Sequence, residues 1–358
     1  MTVGNDPAQQ RPHGDGGRAD ARLSRALIGE IRHDADLDRL VDLLPGRWSD
    51  ALLAEMRFHL SGLMNAIELA IGLHVTDPDA AAAIGGLGDG YSRMAIEDEL
   101  GLLSPELLAH LRRRAAIAML LRHHGAAASP VGLLADEPDA VREPLAAILA
   151  AITSAERRWC APMLLDAPMA PDLPAEHFHD LAWTVAALLI RGCELRHLPA
   201  GPALVEAVAQ ATDRVIGQHD EGEGAFALAQ RYARSLSAEM RLALAPAALR
   251  EARLLLFAAL AEPETGLGLD ALLDAMIDGT DEARFALLRL MSVNDAVAFA
   301  AAEILSPLTG LAIGGDAALA EFVETYRGFD AAQAELWLAR CRRPRALDSK
   351  LALLERDR

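Results

Sequence analysis

His59 stands four residues after Glu55, inside the apolar stretch that follows Trp48. On a helix that spacing puts the imidazole one turn from a carboxylate. An exposed ring with a free nitrogen and a nearby acid is what a phospho-accepting histidine needs. A kinase would also need a nucleotide-binding domain with glycine-rich loops, and no such motif is visible. A phosphotransfer module needs only helices, so His59 with Glu55 stays a candidate beside the plainer explanation, a histidine satisfied at the edge of a core. Glu176-His177-Phe178-His179 and Glu194-Leu195-Arg196-His197 both read ExxH. Glu176 with His179, and Glu194 with His197, could each offer two metal ligands from one helix face. The two pairs lie 18 residues apart, about 27 Å along a continuous helix at ~1.5 Å per residue, so one metal cluster cannot take both. Exposed polar side chains, with charge compensation at the helix C-terminus, explain them better.

The remaining polar clusters are weaker. His123-His124 follow Arg122 where a helix ends before Gly125, and cations are favourable there. His219-Asp220-Glu221-Gly222-Glu223 lacks the ligand spacing of a calcium loop and reads as a solvated turn with capping acids. Asp278 to Glu282 is acidic and opens a helix. Gly85 to Gly90 is glycine-rich but carries no lysine, so a phosphate cradle there is poorly supported. No nucleotide-binding, serine-hydrolase or zinc-protease motif is present, and no cofactor is expected. Cys160, Cys193 and Cys341 have no metal-ligand spacing.

The elements that must carry these residues are helices. The 358 residues are 52% hydrophobic but only 4% aromatic, and alanine and leucine dominate. Those two favour helix, and the residues that strands prefer are sparse. The expected class is all-α. The main helices are expected over 48–73, 105–122, 138–153, 154–166, 175–196, 202–217, 223–243, 246–261, 268–277, 281–291 and 293–304. In the first of these, Leu52, Met56, Leu60, Leu63, Ile67 and Ala70 make one stripe, while Phe58 and Leu69 fall nearly opposite. A helix apolar on two faces is internal or holds a partner, which suggests self-association through the N-terminal half.

The formal net charge of −18 makes the chain a poor nucleic-acid ligand. The local basic runs, Arg112-Arg113-Arg114 and Arg340 to Arg345, read as solvated helix faces. The longest clean apolar run, Leu181 to Ile190, is about half a membrane span. No membrane association is expected, and a cytoplasmic location is. The organisation expected is a disordered tail over 1–20, a helical bundle over 21–130 as the candidate site of homodimer formation, and a HEAT-like array over 131–358. Asp-rich turns joining helices at Thr76-Asp77-Pro78, Asp136 to Arg142 and Asp278 to Arg284 suggest that array.

The turn at Asp136 to Arg142, the Ala/Leu/Arg-rich helices, the acidic tail, Ile304 to Leu311 and the helix from Phe329 to Arg340 together resemble the bacterial family catalogued as domain of unknown function 2336. The resemblance covers most of residues 20–345. It implies an all-helical bacterial protein and carries over no activity and no site residue. The functional expectation is a non-enzymatic scaffold or adaptor that binds a protein partner. Phosphotransfer through His59 is the alternative, and a metal or small-molecule enzyme in a helical bundle the third.

Overall fold

Ser49 accepts a hydrogen bond from the Leu52 amide (3.3 Å) and starts the first helix, α1, Asp50–His74. Asp77 does the same for Ala80 (2.8 Å) ahead of α2, Pro78–Gly85, where Pro78 occupies the first turn. The short α3, Tyr91–Ala95, takes its cap from a distant residue. The buried Glu68 of α1 accepts from the Tyr91 and Ser92 amides (3.1 and 2.8 Å). Two 3₁₀ turns, Ile96–Asp98 and Leu100–Leu102, lead into α4, Pro105–His124. Then follow α5, Asp139–Trp159, α6, Ala175–Leu195, and α7, Pro202–Gly217. Beyond them lie α8, Ala225–Arg234, α9, Ala238–Arg250, α10, Leu254–Thr265, and α11, Leu269–Ile277. The last are α12, Asp281–Leu290, α13, Asp295–Thr309, α14, Asp316–Gly328, and α15, Ala331–Cys341. This is a computed structural model, and it describes residues 49–124, 139–160, 169–198, 201–309, 316–343 and 347. Among them there is no strand, and the fold is all-α.

Several boundaries differ from expectation. The break foreseen between 153 and 154 is absent, and α5 runs through it. The helix expected over 223–243 instead breaks at Ser235 to Ser237, because the Ser237 side chain caps α9 by accepting from the Met240 amide (3.2 Å). Pro246, expected to open a helix, lies inside α9, where its missing N–H leaves the Leu242 carbonyl without the usual partner. Thr280, rather than an aspartate, caps α12. Ala252 and Ser292 terminate helices with φ of 55° each, in the left-handed region that favours glycine. Ser292 is exposed, and among the described residues its side chain makes no hydrogen bond. We therefore expect Ser292→Gly to stabilise the chain by about 0.5–1 kcal/mol, read from the urea midpoint. A neutral or negative change would show that the hydroxyl matters.

The core has two centres. In α10 every residue from Leu254 to Ala261 is buried, packed by α8, α9, α11 and α12. In the other, α4 is enclosed by α1, α5, α11 and α13. The contacts of α4 with α11 and α13 join elements more than a hundred residues apart, and nearest-neighbour stacking does not make them. All the described residues belong to one compact unit. The tail expected over 1–20, the early helices before Trp48 and the turn at Asp136 to Pro138 lie outside the described residues.

Candidate functional site

Three successive arginines on α4 organise the site. At ~100° per residue they point in three directions, and all three are buried. This corrects the solvated face expected for Arg112-Arg113-Arg114. Their charge is neutralised by aspartates on other elements. Arg112 lies 2.7 Å from Asp274 and 3.0 Å from Asp278. Arg113 grips Asp274 through two nitrogens (2.8 and 2.7 Å) and reaches Asp270 at 2.9 Å. Burial opposes the charge on both partners, but the pairing outweighs it, holding Asp274 below the usual carboxylate range and raising Arg113. Asp270, Asp274 and Asp278 recur every four residues, one stripe along α11. That stripe was the legible signal of the clamp.

Arg114 turns inward and is 0% exposed. The segment before α6 crosses α1 by a bond from the Met169 amide to the Gly62 carbonyl (3.0 Å). This crossing brings Asp172 to within 2.6 Å of Arg114. The guanidinium lies over the Trp159 ring, 4.9 Å from its centroid, and the Trp159 indole donates to the other Asp172 oxygen (2.9 Å). Arg114 Nε donates to His59 Nδ1 (3.0 Å). Arginine can only donate, so that nitrogen carries the lone pair and His59 Nε2–H points at Glu55 (3.0 Å). Arg122 closes the row on the second Glu55 oxygen.

This placement corrects the reading of His59 as an exposed phospho-acceptor. The ring is 0% exposed and both nitrogens are engaged. Burial first, then the Arg114 charge, lower its pKa to about 4, against the opposing pull of Glu55. Burial would raise the Glu55 carboxyl, but the hydrogen bonds from His59 and Arg122 hold it below its ordinary value. Of the four atoms that chemistry would use, two join His59 to Glu55 within α1 and the other two, bound by Arg114 and Arg122, hold α1 against α4.

Where this network meets the surface it opens into a cleft of about 790 Å³. The first turns of α4 and α6 form two sides and the acidic edge of α11 the third. Glu106, Glu176, Asp180, Asp270 and Asp274 line it, with Arg113 and His177. The loop over 219–223 fixes the α6 side: Glu221 accepts from the Ala175 amide (2.8 Å), and His219 stacks on Phe178 with ring centroids 3.9 Å apart. His177 faces the buried His110 at 5.1 Å between ring centroids. His110 in turn packs on Phe226 (4.6 Å), and Phe226 on Trp159 (5.9 Å). The cleft and the Arg114 network are thus joined through packed rings.

Of the expected metal pairs, Glu176 reaches this cleft. His179 instead accepts from the Trp183 indole (3.1 Å) on the exposed side of α6. Glu194 binds Arg191 (3.0 Å) near the far end of the same unbroken helix, and His197 lies beyond it. Among the described residues no group of three or more His, Cys, Asp or Glu side chains converges as metal ligands would. His177, two residues before the expected ligand, was missed, although His177 and Asp180 share a face by their spacing of three. The Cys160 thiol is half-buried and pushed up to about 11, mainly by burial, which disfavours the nucleophilic thiolate. No helix among the described residues is long and apolar enough to cross a membrane.

A second open feature lies on α1. Phe58, on the helix's second apolar side, is buried, but Leu69 and Leu73 remain 55% and 76% exposed. They form one wall of a cleft of about 630 Å³ whose opposite wall is the glycine-rich loop over 85–90. Fold and site together define an all-α protein whose helices are clamped by buried arginine–carboxylate pairs around an acidic surface cleft. No protein-family model, curated protein or solved structure matches this chain.

Proposed function

We propose that this protein works by binding: it is a helical scaffold that docks a protein partner in the acidic cleft bounded by α4, α6 and α11. The observation that carries this reading is the cleft itself, large, one-sided in charge, and lined by residues whose helices are locked by Arg112, Arg113 and Arg114. A rigid base lets a partner bind without ordering the receptor, which limits the entropic cost of association. The inward commitment of His59 supports binding rather than phosphotransfer chemistry. The test is affinity capture by the full chain from extract of the cells that make it, beside the double variant Glu176→Gln/Asp180→Asn. The expected result is one stoichiometric partner, held by the wild type and lost by the variant. A partner held equally by both places docking elsewhere, and repeated failure to hold any partner overturns the reading.

The open ridge of Leu69 and Leu73 favours a second reading, self-association, with the ridge of one copy seated in the α1–loop cleft of another in an isologous pair. Because α1 and α4 belong to the core, deleting the N-terminal half would unfold the chain, so a surface change is the right probe. Light scattering is expected to show a dimer for the wild type and a monomer for Leu73→Glu. A wild-type monomer at concentrations near 100 times a micromolar Kd, where a C2 pair of that strength (~−8 kcal/mol) would be populated, ends this reading.

A further inference from the structure

We infer that the acidic cleft receives an arginine side chain from a basic segment of the partner, with Asp180 and His177 as its hydrogen-bond acceptors. The inference rests on the cleft being the docking site and names the chemistry that fills it. Five carboxylates line the cleft against one guanidinium, and that guanidinium, Arg113, is already held by Asp274 and Asp270. The N-termini of α4 and α6 add about half a positive charge each, which leaves the cleft strongly negative. One amide at each start is also in use: Ser104 accepts from the Leu107 amide (3.3 Å) and Glu221 from that of Ala175 (2.8 Å). Anions are therefore repelled despite the arginine, the histidine and two helix starts.

Two polar groups in the wall lack a partner. Asp180 Oδ2 is buried without a hydrogen bond. His177 lines the cleft at 7% exposure, and among the described residues its ring makes no hydrogen bond. Behind it His110 Nε2 is buried and unpaired, and the surrounding charges and burial keep that ring neutral. A carboxylate oxygen without a donor is costly, and because Asp180 is only part-buried a turn of its side chain presents that oxygen to a ligand bringing N–H groups. His177 and Asp180 share one face of α6, one turn apart, so a single planar group can address both. Guanidinium suits this better than ammonium, because its five donors spread across a plane. A bare metal ion suits it less, since no three ligating side chains converge among the described residues. The cleft's volume is several times that of one side chain, which leaves room for flanking peptide residues rather than a lone small cation.

The experiment is fluorescence anisotropy of a labelled peptide carrying two arginines in a glycine–serine background, titrated with the full chain. Its citrulline analogue, which keeps the shape and removes the charge, is the first control. Asp213→Asn, an exposed carboxylate on α7 away from the cleft, is the second and reports non-specific attraction to an acidic protein. The arginine peptide is expected to bind and the citrulline peptide not. Asp180→Asn and His177→Phe are each expected to weaken binding about ten-fold, as loss of one charge-assisted hydrogen bond implies, with Asp213→Asn unchanged. Matching melting curves for the variants keep a folding defect from imitating the result. Equal weakening by Asp213→Asn, or spermidine binding as tightly as the peptide, overturns the inference. If the peptide fails while Asp180→Asn still abolishes partner capture, this inference falls and the docking reading stands. If capture is unchanged by Asp180→Asn, the docking reading itself falls.

Discussion

Replacing Arg114 by alanine is expected to lower the unfolding free energy by about 3–5 kcal/mol, the cost of breaking a buried charge pair from one side. The guanidinium serves Asp172, His59 and the Trp159 ring at once, with no solvent to take its place. Alanine would strand the Asp172 carboxylate in the core, leave the His59 lone pair unmet and open a cavity beneath Trp159. Against a typical total of about 5–15 kcal/mol, such a loss brings the fold close to its limit. Arg114→Lys is expected to lose less, since it keeps the charge but not the three-way reach. Urea unfolding followed by tryptophan fluorescence measures both. A loss under about 1 kcal/mol for alanine would show that the network behaves like a surface ion pair.

The second large effect is acid lability. His59 is neutral in the folded chain with a pKa of about 4, whereas in the unfolded chain it returns to its ordinary value near 6.5. Between those values the unfolded state binds a proton that the folded state refuses. The stabilising contribution is therefore complete above about pH 6.5 and falls away as the pH drops towards 4. The shift corresponds to roughly 3 kcal/mol. His110, also buried and lowered, acts in the same direction, and Glu55 extends the loss below its own ordinary range because its carboxyl is held down. The urea midpoint is expected to fall steeply from pH 7 to pH 4. His59→Gln can donate to Glu55 and accept from Arg114 without titrating, so its profile should be distinctly flatter. An unchanged slope in that variant would remove His59 from the cause.

The α1 helix shows how far periodicity reads a fold. Its stripe from Leu52 to Ile67 is buried as spaced, and its start at Ser49 follows from a side chain three residues from the amide it caps. The second apolar side divides: Phe58 is covered and Leu69 is not. Periodicity shows that a face is apolar, not which neighbour arrives to cover it. α4 is the harder case. Its arginines look like a solvated run because an isolated helix would leave them in water. Arg112 and Arg113 are buried because Asp270, Asp274 and Asp278 approach from some 160 positions along the chain, and Arg114 because Asp172 approaches from another segment.

Helix class, the caps at Ser49 and Asp77 and the principal stripe of α1 were settled by the sequence alone, because i→i−4 hydrogen bonds and capping contacts act between residues a few positions apart. The burial of Arg112, Arg113 and Arg114, the sealing of His59 and the closing of five carboxylates around one cleft were decided only by tertiary structure. A charge can leave water only where an opposite charge meets it, and here each partner is supplied by a different, distant segment of the chain.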